Sequence, residues 1–162
     1  MSTAALRFSG TDRAVPRLVR AGVLVTIIDG LFATCFGLFV RGTTPTHMWQ
    51  GVASVPLGKG AIDGGTSMVL AGLGLHILVA FTWSVLLLLA VQRSHRLRAI
   101  IDSPYGILKV ASVLGPMIWL VMSLLVIPSM THRLPGFTPA YFAMLLGHVF
   151  FVGVPMAYGI GT

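Results

Sequence analysis

A chain of 162 residues in which 56% are hydrophobic and 9% are charged cannot bury its apolar surface in a water-soluble domain of this size. Lys plus Arg outnumber Asp plus Glu by 11 to 4, but the basic residues flank long apolar runs and form no folded basic surface, which argues against a nucleic-acid partner. The single Cys35 excludes an internal disulfide and a cysteine metal cluster.

Taken in order, residues 1–20 form a basic N-terminal arm bearing Arg7, Arg13, Arg17 and Arg20, with Pro16 suited to a helix start. A first spanning helix is predicted over about 21–40. It is an uncleaved one, because no small-residue cleavage site follows. Twenty residues at 1.5 Å rise reach roughly 30 Å, the thickness of a bilayer's hydrocarbon core. Residues 41–66 then make an ordered, partly apolar linker. It holds a short helix over His47 to Val55, with Trp49 as a headgroup-level anchor. Its Gly58-Lys59-Gly60 lacks the frame of a phosphate-binding loop.

Further spans are predicted over about 67–91, 105–127 and 140–160. Gly72, His76 and Ala80 share one face of the second, open to close helix approach. Lys109 can snorkel from the start of the third, and Gly115-Pro116 predicts a kink there. The fold class is thus an all-α membrane protein: one domain, a four-helix antiparallel bundle crossing the lipid bilayer. Most basic residues lie in the arm and in residues 92–103. The positive-inside bias puts both, and hence both termini, on the cytoplasmic side.

Three ionisable residues fall inside the spans. Counted from the outer ends at 1.5 Å per residue, Asp29 lies roughly 16 Å deep, His76 roughly 13 Å and His148 roughly 12 Å. One acid and two imidazoles on three helices therefore share a layer. The plainest reading is polar glue between helices, worth about 0.6 kcal/mol per hydrogen bond. Sharper readings put a haem b between His76 and His148 as axial ligands, with Gly72, Gly74 and Gly147 leaving room for the ring. Asp29, His76 and His148 also have the residue types of a two-histidine, one-carboxylate metal site. A proton or small-solute pathway is the remaining option, although no other buried charge continues it across the membrane. His47 and His132 fall in outward linkers and are expected to be solvated.

The sequence leaves enzyme chemistry open and leans against it. There is no G-x-S-x-G elbow and no Glu; the acids are Asp12, Asp29, Asp63 and Asp102. A small chain with no catalytic motif reads best as a non-enzymatic accessory or structural subunit of a larger membrane complex, with other membrane subunits or further copies of itself as partners.

Several segments carry a resemblance: Q-G-V-A-S-V-P-L-G-K-G-A at 50–61, L-G-L-H at 73–76, P-Y-G at 104–106 and G-H-V-F-F-V-G-V-P at 147–155. With D-G at 29–30, G-G at 64–65 and I-P-S at 127–129, they resemble a group of uncharacterised bacterial four-helix integral membrane proteins. The resemblance implies that fold and a place in the bacterial inner membrane, and carries no catalytic residue across.

Overall fold

The structure, a computed structural model, describes residues 10–161, with side chains from residue 13 onward. The first nine residues of the basic arm, Arg7 among them, lie outside the described residues. Among the described residues every regular element is helical. Four helices are long and apolar enough to cross a membrane: Arg13–Phe39, Gly65–Arg93, Gly106–Thr131 and Pro139–Gly161, here spans 1 to 4. They match the expected segments to within a few residues, except that span 1 reaches back into the arm and span 3 runs on to Thr131.

Local chemistry sets the ends of the elements. Span 1 is the body of α1 (Gly10–Phe39). The linker helix α2 (Pro45–Leu57) starts where Thr44 accepts a hydrogen bond from the His47 N–H, with Pro45 in the first turn. A 3-10 turn (Lys59–Asp63) leads into α3 (Gly65–Arg93). Gly65 opens α3 at φ 66°, a backbone shape that costs glycine little. Ser94 ends α3 and caps the short α4 (His95–Ile101) by accepting from the Leu97 N–H. Lys109 is exposed near the start of α5 (Gly106–Val121), where its Nζ donates to Ser103 Oγ.

Spans 3 and 4 each change register partway. A π-helical turn, Met122–Val126, joins α5 to α6 (Ile127–Thr131). A second, Val149–Gly153, joins α7 (Pro139–His148) to α8 (Val154–Gly161). Prolines explain both. Pro128 cannot donate to the carbonyl of Leu124, nor Pro155 to that of Phe151, and each ring crowds the same carbonyl. The helix widens, so that Ile127 donates to Met122 O and Val154 to Val149 O. Helical bonding continues through Pro116, so the irregularity expected at Gly115-Pro116 falls just before Pro128 and Pro155 instead.

Spans 1 and 4 pack most intimately at the basic end of the bundle. A Cβ on Gly159 would strike the backbone of Ala21, so only glycine allows this approach. Arg20 clamps the contact: its Nε and Nη2 donate to Gly159 O at 3.1 and 2.8 Å. The start of span 1 and the end of span 4 therefore share one side. Below them Ala21, Val25, Ala80, Leu88, Met156 and Ile160 join one core. Span 3 packs on span 4, where Gly153 meets the backbone of Ala111.

Candidate functional site

The polar layer divides in two. On the face of α1 turned toward α3, Thr26 and Asp29 meet His76. The His76 Nε2 lies 3.1 Å from Thr26 O. A carbonyl oxygen can only accept, so Nε2 carries the hydrogen. The other ring nitrogen, Nδ1, lies 3.9 Å from Asp29 Oδ2, beyond hydrogen-bond length. Both side chains are largely buried, at 14% and 16% exposure.

That tautomer constrains the pair. With Nε2 committed as a donor, one further proton, on either Nδ1 or Asp29, leaves the two residues without net charge. Removing that proton would leave a bare carboxylate within the span, at a cost of about 3 kcal/mol on insertion scales. The pair is therefore neutral overall when either partner carries that proton, although at 3.9 Å no direct hydrogen bond joins them. Among the described residues, the second Asp29 oxygen and the Thr26 hydroxyl have no hydrogen-bond partner.

Trp49 from α2 closes the pair off. Its ring stands edge-on to the His76 ring, with centroids 5.3 Å apart. Gly72 makes this approach feasible, and Gly30 lies in contact beside it. A Cβ on Gly72 would strike the Trp49 carbonyl, and one on Gly30 would lie 3.4 Å from His76 Nε2. Trp49 is thus buried inside the protein, not a free headgroup-level anchor. The small-residue face of α3 does receive a helix, but its glycine step takes the linker helix, which Gln50 also fastens by donating to Gly65 O at 3.2 Å.

His148 stands apart from this pair. Its Nδ1 donates to Met144 O at 2.8 Å, and its ring lies 4.7 Å from that of Trp119 in α5. The His148 carbonyl fills the gap beside Gly115. Its height agrees with expectation, because neighbouring Gly147 abuts the ring of Phe32, one turn beyond Asp29. Its bearing does not: His148 faces span 3, while His76, on span 2, faces span 1 and the linker helix α2. Among the described residues no group of three His, Cys, Asp or Glu side chains is placed to hold a metal ion. The expected ligand set Asp29, His76 and His148 thus reduces to a pair and an isolated histidine.

The haem reading meets a related obstacle. The space beside Gly72 is occupied by the Trp49 main chain and that beside Gly147 by the Phe32 ring, leaving only Gly74 open. Both His76 nitrogens already face protein oxygens. His47 and His132 are exposed in the linkers between the spans, with His132 at φ 54° ending α6. Sequence reasoning missed Thr26, Trp49 and Trp119. Thr26 sits three residues before Asp29 on the same helix face, a spacing that could have flagged it. Trp49 gave no such signal, since its position depends on how a linker folds back.

Fold and site together define a multi-pass, all-helical membrane protein with an internal acid–imidazole pair. Comparison with known proteins extends this no further: no family model, no curated protein and no solved structure matches the chain.

Proposed function

We propose that the chain is a non-enzymatic accessory or structural subunit of a larger assembly in a bacterial cytoplasmic membrane, with both termini on the cytoplasmic side. The observation that carries this reading is a ridge on α1. Val15, Val19, Val23, Ile27 and Leu31 recur every fourth residue, and all are exposed. The row runs roughly 24 Å at 1.5 Å per residue. Rows of this spacing are the ridges that interlock when helices pack. Four of its five side chains are β-branched and already stiff, so docking a partner helix costs them little freedom. In lipid such packing is what drives helix association.

The Asp29–His76 pair fits the same reading as an internal fastener of spans 1 and 2. Kinship with bacterial four-helix membrane proteins belongs to this proposal too. Native mass spectrometry of protein released in mild detergent tests it. The expected species exceeds one 17.2 kDa chain and holds its other subunits in fixed ratio. Flattening the ridge with Val19→Ala, Val23→Ala and Ile27→Ala together should release the partner, while Leu78→Ala on exposed α3 surface should not. A lone chain in the unaltered sample would sink the proposal.

A further inference from the structure

The outward end of the bundle holds a cavity of about 390 Å³, formed between the end of α1, the α5–α6 helix and the start of α7. That volume suits a small ligand. Arg41 and Arg133, two of the few charges on this side, both line it. No carboxylate does. Trp119, Ser123 and Tyr141 continue the wall inward.

The hydrogen-bonding inventory of this wall is one-sided. Ser123 Oγ and Tyr141 OH share a single bond of 2.9 Å, which leaves one of the two hydroxyl hydrogens without an acceptor there. The indole N–H of Trp119, itself buried, has no acceptor among the described residues. The Thr131 hydroxyl is spent on Ile127 O. Two arginines thus line a space whose wall carries no anionic acceptor. Arg41 also lies 5.7 Å over the Phe36 ring, which is not part of the cavity wall. The π-helical turn contributes as well, because Ser123 lies within it.

We infer that this cavity binds a small oxyanion, a carboxylate or phosphate group, between Arg41 and Arg133, with the body of the ligand against Trp119. Arginine's planar fork matches both groups. The source is either a water-soluble organic anion or the headgroup of an anionic outer-leaflet lipid, and one experiment distinguishes them.

The full chain, labelled with 15N at the tryptophan indoles, is placed in nanodiscs of phosphatidylcholine alone and titrated with benzoate or with inorganic phosphate. A parallel sample carries phosphatidylglycerol in the disc. Trp119→Phe identifies the Trp119 resonance among three. Binding is expected to shift that resonance saturably. Arg41→Gln or Arg133→Gln should weaken it about tenfold or more, the loss of one charge-assisted contact. Ile127→Trp, which fills the cavity and leaves both charges, should abolish it. Saturation by benzoate or phosphate identifies a soluble ligand. A shift seen only with phosphatidylglycerol, and lost in the same variants, identifies the lipid headgroup. No saturable shift with any of the three, or an equal shift in the arginine and Ile127→Trp variants, overturns the inference.

Discussion

At the scale of single residues, the pairing of Asp29 with His76 implies an asymmetry. Asp29→Asn keeps a polar group of the same shape facing a neutral Nδ1 and removes the ionisable acid. Its unfolding free energy should change by less than about 1 kcal/mol, typical of polar contacts in membranes. His76→Leu leaves the acid in a mostly buried site without its partner and should cost about 3 kcal/mol. Steric-trap unfolding in bicelles reads both, and equal costs would rule out the acid–imidazole pairing. Glycines offer a second contrast. A Cβ at Gly72 or Gly115 would meet a carbonyl oxygen of the main chain, which cannot swing away as a side chain can. Gly72→Ala and Gly115→Ala should each lose about 1–3 kcal/mol. Gly74→Ala, which faces open space, should be neutral or slightly stabilising by helix propensity. Thermal melting in detergent would show that order.

At the scale of elements, the two π-helical turns follow from two prolines. Pro155→Ala restores an N–H that can reach the Phe151 carbonyl, so the wide turn Val149–Gly153 should tighten to regular helix. Isotope-edited infrared at the Phe151 carbonyl should then report a stronger hydrogen bond. An unchanged band would mean that packing against span 3, not the proline, sets the register. Tightening would also rotate α7 relative to α8, moving Phe32 and Phe151 out of their stacked contact, where centroids lie 4.1 Å apart. Such rotations are what a linear sequence conceals. The positions of Pro128 and Pro155 were in view, yet Pro116 resides within regular helix. Whether a proline widens its helix or is absorbed depends on the neighbouring span.

At the scale of the whole molecule, orientation is the open variable with a direct measurement. Arg20 bound to Gly159 O ties the start of span 1 and the end of span 4 to one side. Arg93, Arg96 and Arg98 lie at that same end, on α3 and α4, and the positive-inside bias assigns it to the cytoplasm. In a Cys35→Ser background, Arg133→Cys should react with an impermeant maleimide in intact spheroplasts, and Arg96→Cys only after lysis. The reverse pattern would invert the assignment and place the two-arginine cavity in the cytoplasm.

The spans, their number, their antiparallel order and the common depth of Asp29, His76 and His148 were legible in the sequence. Each is a distance along the chain, and helix rise converts residue counts into height with little error. Bearing was not legible. Each helix can turn about its own axis without changing its composition, and side-chain packing selects the turn. That selection sent His76 to Asp29 and His148 to Trp119. It also folded α2 inward until Trp49 filled the step at Gly72, and drew Arg41 and Arg133 from distant linkers to one cavity. Height is a one-dimensional property that a sequence carries. The angle between neighbours exists only once all four spans have met.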